Sequence, residues 1–165
     1  IGLPFWEDVD YEFHLMIDEP ETVVEDWIKA GASGIIVQIE AIKDTEKSME
    51  SIISMTKAGE VNLGLSIKPS TDISKLERYI KLIDFVQCMG SDDLGHHGAK
   101  FDPTVLEKIK NLRSLYPDMP IAIDIGVSEE SAPELVLVGA TKLISGGAIF
   151  NSSNIPETIK FFQSL

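Results

Sequence analysis

Two residues in this chain sit where chemistry would need them. His14 lies inside the apolar run EFHLMI, and Asp124 closes the apolar run IAID. A carboxylate at the end of a buried strand must find a partner, because an unpaired charge away from water is costly. Asp124 therefore reads either as the cap of a turn or as a metal ligand or proton-transfer acid/base. His14 reads either as a hydrogen-bonded core histidine or as a ligand. Imidazole and carboxylate together suit Zn, Fe or Mn, but two ligands define no site by spacing alone. Glycine turns form a second signal. IGVSEE carries Gly126 and Val127, and SGGAIF carries Gly146 and Gly147. Backbone N–H groups in such turns can cradle a phosphate, and glycine permits the close approach. An ordinary turn is the competing reading. The loop GSDDLGHHGAKF adds Gly95, His96, His97 and Gly98. Its adjacent histidines read as solvated side chains, or as contacts to a metal or a phosphate. Lys68 in SIKPST faces a pocket or supports the turn before Pro69.

These residues are carried by short apolar runs that alternate with amphipathic segments. The runs are YEFHLMI, GIIVQIEA, VNLGLSIKP, IDFVQCM, PIAIDIG and TKLIS. The amphipathic segments are EPETVVEDWIKAGA, TEKSMESIISMTKAG, DISKLERYIKL, DPTVLEKIKNLRSLY, SEESAPELVLVG and IPETIKFFQSL. Proline near a helix start, early acids and a following glycine mark the helix ends, and Asp102 is placed to cap the helix that begins near Pro103. Strands that are apolar throughout belong to a parallel sheet buried on both faces. Six strand–helix units make an α/β fold. No G-x-G-x-x-G follows the first strand, as a doubly wound nucleotide binder would require. Polar and glycine features instead follow several strands, which is how a (β/α) barrel builds its catalytic face, with phosphate commonly held by the loops after the last two strands. Six units are two fewer than the eight of a closed barrel.

Composition narrows the partners. A net charge of -13 leaves no basic surface for nucleic acid. No apolar run approaches the roughly 20 residues of a membrane span. The single cysteine, Cys88, lies in IDFVQCM, excludes an internal disulfide and fits a reducing cytoplasm. It reads as a buried structural thiol. The chain begins at Ile1 rather than methionine, which fits a processed product or a fragment.

Six blocks, in order, resemble the ribulose-phosphate 3-epimerase family of TIM barrels. EFHLMIDEP is similar to D-x-H-L-M-x-x-x-P, and AGASGIIVQIEA to a block ending H-x-E-A. GLSIKPST resembles G-L-A-I-K-P-G-T, GHHGAKF resembles G-F-G-G-Q-K-F, IDIGV resembles V-D-G-G-V, and SGGAIF resembles S-G-S-A-I-F. The resemblance runs from about Tyr11 to Phe150. It implies interconversion of D-ribulose 5-phosphate and D-xylulose 5-phosphate by proton transfer at the carbon beside the ketone, assisted by a divalent metal (Zn, Fe, Mn or Co). By the resemblance Asp124 is one acid/base and a metal ligand, and His14 is a metal ligand. Gly95, His96, His97, Gly98, Ile125, Gly126, Val127, Gly146 and Gly147 would, with those two, contact the sugar phosphate.

The chain departs from the pattern at Gln38, where the family has histidine, at Ile125, where it has glycine, at His97, which replaces a loop glycine, and at Glu12, which replaces aspartate. The second acid/base and further ligands belong in the family to a strand before EFHLMI. The expectation is therefore a single (β/α) barrel domain over residues 1–165, incomplete at its N-terminus, with the first two units supplied by the native gene. By itself the chain should be nearly inactive. Unpaired strand edges lead to the expectation of a homo-oligomer, acting in the cytoplasm on a small sugar phosphate. The alternative is a diverged or truncated barrel that binds sugar phosphate without catalysis.

Overall fold

The structure, a computed structural model, describes residues 2–5, 7–43, 45–95 and 98–165, Thr45 without its side chain. Each apolar run contains a strand: β1 (Glu12–Leu15), β2 (Gly34–Gln38), β3 (Asn62–Ile67), β4 (Phe85–Met89), β5 (Ile121–Asp124) and β6 (Lys142–Ile144). The helices are α1 (Val24–Ala30), α2 (Thr45–Ala58), α3 (Thr104–Leu115), α4 (Ala132–Leu137), α5 (Gly147–Phe150) and α6 (Ile155–Gln163). The chain falls into two compact units. The first holds residues 1–67 and 74–85, the second residues 68–73 and 86–165.

In the first unit β1, β2 and β3 pair in parallel, with His14 opposite Ile36 and Gln38 opposite Ser66. Side chains alternate between faces along a strand. One face therefore carries Leu15, Ile35, Val37, Leu63, Leu65 and Ile67, all buried. Burying each such side chain contributes about 1.5–3 kcal/mol. The helices α1 and α2 pack on each other, and α2 packs on β3. Phe13 lies on that same face and stacks on Trp27 of α1 with centroids 4.2 Å apart. This leaves its neighbour His14 on the opposite face with Ile36 and Gln38.

The second unit repeats the plan. Within it β4, β5 and β6 are parallel, with Met89 opposite Asp124 and Asp124 opposite Ile144. Val86, Cys88, Ile121 and Ile123 are buried on one face, and Val105, Ile109 and Leu112 of α3 are buried with them in the unit's core. Arg113 clamps the approach to β5: its guanidinium donates to the carbonyls of Pro117, Met119 and Gly139 at 2.6, 2.9 and 2.8 Å.

Two expectations shift. DISKLERYIKL is not an α-helix but a 3-10 turn, Ile73–Leu76, continued by further turns. Tyr79 N–H bonds Leu76 O and Leu82 N–H bonds Tyr79 O, both three residues back. The segment must bury Leu76, Tyr79 and Ile83 before Asp84, whose N–H is held by Leu63 O at 2.8 Å. The tighter i→i+3 pattern suits so short a connection. Asp102 does act at the start of α3, accepting from Thr104 N–H and Oγ1–H at 2.9 and 2.7 Å. Those two bonds hold its carboxyl below the usual carboxylate range.

Cys88 is the buried thiol expected. Burial pushes its pKa from 9.0 up to about 12, and the nearby Lys108 charge only partly opposes this. A pKa raised on folding contributes stability below the unfolded value and loses it above. Chemical-denaturation stability is therefore expected to decline as pH rises from about 9 towards about 12. The decline should be shallower in Cys88→Ala.

Candidate functional site

The first unit offers a polar row on the face opposite its core. His14 Nε2 bonds Gln38 Oε1 at 2.9 Å, and Gln38 Nε2 donates to Glu40 Oε2. Gln38 is buried, His14 half-buried and Glu40 exposed. The row exists because β1 and β2 are parallel and in register: His14 lies beside Ile36, and Gln38 follows two residues later on the same face. Sequence reasoning recorded Gln38 as a departure from the family pattern and missed its position between His14 and Glu40. The period-two spacing of 36 and 38 carried the signal for the His14 contact, whereas Glu40 comes from the 3-10 turn Ile39–Ala41 that follows β2.

The second unit offers a carboxylate among turns. Asp124 ends β5 half-buried, and its Oδ1 accepts the Ile125 N–H at 2.8 Å. The backbone then enters the left-handed region twice, at Ile125 with φ 74 and at Gly126 with φ 80. Only glycine fits at 126, because an added Cβ would lie 2.2 Å from Cδ2 of Phe101. Val127 is buried. Two serines that sequence reasoning missed fix this loop. Ser131 Oγ–H donates to Gly126 O at 2.6 Å, and Ser145 Oγ–H donates to Val127 O at 3.2 Å. Ser128 and Ser131 also accept each other's backbone N–H, at 3.2 and 3.0 Å. The S-x-x-S spacing in SEES was their signal. Ser145 directly precedes Gly146 and Gly147, so it ties the loop after β5 to the turn after β6.

Gly146 and Gly147 are exposed, and Gly147 opens α5 rather than a plain turn. Gly95 and Gly98 are also exposed and left-handed, at φ 90 and 83. His96 and His97 lie outside the described residues. The KPST segment is joined to the start of that loop by Ser70, whose N–H and Oγ–H both reach Asp92 Oδ1, at 3.1 and 2.9 Å. Lys68 is half-buried just before it.

Ile125 is the strained position. A β-branched residue in the left-handed region costs roughly 1–2 kcal/mol that glycine avoids. Ile125→Gly is expected to gain about 1 kcal/mol after its lost burial and its freer unfolded chain are set against that relief. Thermal denaturation should show Tm rising by roughly 2–4 °C.

Among the described residues, no group of three His, Cys, Asp or Glu side chains could hold a metal ion. His14 belongs to the first unit and Asp124 to the second. A catalytic zinc site takes about three protein ligands. The described residues therefore do not by themselves make a metal centre. No helix among the described residues is long and apolar enough to cross a membrane.

Comparison with known proteins places this geometry. The profile of the Ribulose-phosphate 3 epimerase family matches residues 4–150. The chain is 30% identical over 153 residues to the ribulose-phosphate 3-epimerase of Candida glabrata, covering 93% of this chain and 60% of that protein. It is 31% identical over 157 residues to that of Bacillus subtilis, covering 92% and 70%. To that of Synechocystis it is 34% identical over 154 residues, covering 90% and 65%. The chain thus spans roughly 60% of the length of several curated relatives that it matches, 60%, 64% and 55% in three of them.

Among solved structures, 3-hexulose-6-phosphate synthase from Salmonella typhimurium superposes with a TM-score of 0.77 at 15% identity, over 96% of this chain and 74% of that one. The 3-keto-L-gulonate-6-phosphate decarboxylase from Vibrio cholerae gives 0.69 at 15% identity, over 93% and 70%. At such identities the likeness shows the fold alone, a (β/α) barrel type. Six parallel-strand units in this order, with blocks at the strand ends matching over residues 4–150, make the chain a member of the ribulose-phosphate 3-epimerase family.

Proposed function

We propose that the protein carrying this chain interconverts D-ribulose 5-phosphate and D-xylulose 5-phosphate, with residues 1–165 as part of one (β/α) barrel domain. The observation that supports this best is Asp124. It stands at the C-terminal end of a barrel-type strand, held by a backbone N–H and followed by a glycine turn that two serines fasten. A carboxylate there takes the proton from the carbon beside the substrate ketone, and the electron pair moves onto the ketone oxygen as an enediolate. Return of a proton to the opposite face inverts the centre and needs a second acid. We assign that acid to the part of the relatives' length that this chain does not span.

The family resemblance assigns substrate contacts to His14 in the first unit and, in the second, to Asp124 and to the phosphate-holding amides around Gly95, Gly98, Gly126, Gly146 and Gly147, with His96, His97, Ile125 and Val127. The family resemblance implies a divalent metal, for which His14 and Asp124 are candidate ligands by residue type. The test is a coupled assay of xylulose 5-phosphate formation from ribulose 5-phosphate by the full protein. Turnover supports the reading. Phosphate-sugar binding without turnover, with Gln38 and Ile125 standing where the family has histidine and glycine, would favour a non-catalytic binder instead. A cytoplasmic location is part of the same proposal and fits the single reduced cysteine.

Self-association is proposed from the second unit. Here α4, β6, α5 and α6 line an apolar cavity of about 490 Å³ that includes Val136, Leu143, Ile149, Ile159 and Phe162. Leu137 and Phe150 are 85% and 79% exposed. Apolar surface of this kind drives association. Size-exclusion chromatography with light scattering is expected to give a mass above one chain, and Leu137→Glu is expected to lower it.

A further inference from the structure

The row His14–Gln38–Glu40 carries information that the proton-transfer chemistry does not use. A carboxylate oxygen only accepts hydrogen bonds. The group that Gln38 turns towards Glu40 is therefore its amide NH₂, as the Nε2–Oε2 contact has it. The other end of the amide is then fixed: Oε1 faces His14, 2.9 Å from Nε2. A carbonyl oxygen accepts only, so the ring nitrogen at that distance must carry the proton. Gln38 is 3% exposed, so water cannot readily replace either bond. Its backbone lies in register with Ser66 of β3.

We propose that Gln38 is a positioning residue that, oriented by Glu40, locks His14 as the Nε2–H tautomer. The ring's in-plane lone pair is then confined to Nδ1. At that nitrogen a neutral His14 accepts a proton or meets a cation, and it cannot donate. Its partner on a ligand is a hydroxyl group rather than a phosphate or enolate oxygen. Ser66, opposite Gln38 in the next strand, is fully buried and its Oγ has no hydrogen-bond partner. It is a second polar group at this row where the family motif has alanine.

The consequence for substrate, recognition of a sugar hydroxyl by His14, rests on the epimerase reading. The lock itself does not. The experiment is therefore made without substrate: nitrogen-15 and proton NMR of the full protein, selectively labelled at histidine, at about pH 8, where histidine is ordinarily neutral. The expected result is an Nε2–H resonance for His14 that exchanges slowly with water and shows a cross-peak to the Gln38 carboxamide protons. In Gln38→Leu that proton should exchange about tenfold faster, as a lost hydrogen bond requires. The double variant Gln38→Glu/Glu40→Gln keeps an acceptor at 38 and a donor at 40, and slow exchange should return. A merely space-filling role for Gln38 would give no such rescue. A His14 proton on Nδ1 in the wild type overturns the proposal. So does slow exchange that persists in a folded Gln38→Leu. Should Gln38→Leu fail to fold, the wild-type cross-peak and the double variant decide. Absence of epimerase activity would leave these readouts intact.

Discussion

Asp124→Asn is expected to lower epimerisation by roughly a thousandfold or more, within the range that loss of a general acid/base removes. Asparagine has the same shape, and its Oδ1 can still accept the Ile125 N–H that Asp124 accepts at 2.8 Å. The backbone bond from Gly90 N–H to Asp124 O, at 2.6 Å, does not involve the side chain. The fold around β5 should therefore persist, with Tm within a degree or two of the wild type. What goes is the carboxylate's charge and, with it, the capacity to take and return a proton near neutral pH. The coupled assay on the full protein, with the variant's thermal melt beside it, checks this. More than a tenth of wild-type turnover in a folded variant would remove Asp124 from the mechanism. A fall of the expected size with an unchanged melt would separate chemistry from structure.

Gly90→Ala is the second large effect, and it acts through the backbone. An added Cβ at Gly90 would lie 2.2 Å from the carbonyl oxygen of Ile125 and 3.1 Å from the ring of Phe101. A flexible side chain could swing away, but a carbonyl between two left-handed residues cannot. Ile125 and Gly126 sit at φ 74 and 80, and Ser131 holds Gly126 O. Gly90 also passes the constraint on: its carbonyl accepts Asp102 N–H at 2.7 Å, two residues ahead of α3. Forcing one methyl into so tight a place costs about 3 kcal/mol. For a chain of this size that lowers Tm by roughly 6–12 °C. Circular-dichroism melts of the full protein measure it. The same displacement would move the Asp124–Ile125 corner, so turnover should fall more than the melt alone accounts for. A Tm within about 2 °C of wild type, below the shift such a cost requires, would mean that the Ile125 carbonyl is not fixed.

Much of this was legible in the chain of letters. Runs such as GIIVQ and FVQCM are apolar at nearly every position because a parallel strand is covered on both faces, so periodicity located every strand and fixed the α/β class. Helix ends were legible for the same local reason: proline and acids at the start, glycine after the end. The segment after β3 was not. Its apolar spacing allows a helix, and only the need to bring Asp84 back to Leu63 tightens it into 3-10 turns.

The candidate site divides in the same way. Residue types named His14, Asp124 and the glycines, because their chemistry is a property of each side chain. The meaning of Gln38 was a property of two strands in register. Sequence shows a histidine replaced by an amide, whereas the parallel pairing of β1 with β2 sets that amide between an imidazole and a carboxylate and so decides where a proton sits. Ile125 follows suit: the letter departs from glycine, but its cost arises only because the corner after β5 demands a positive φ. Local composition decides which elements form and which groups are reactive. The hydrogen-bond directions that give those groups their function come from strands distant in sequence, and only the folded chain supplies them.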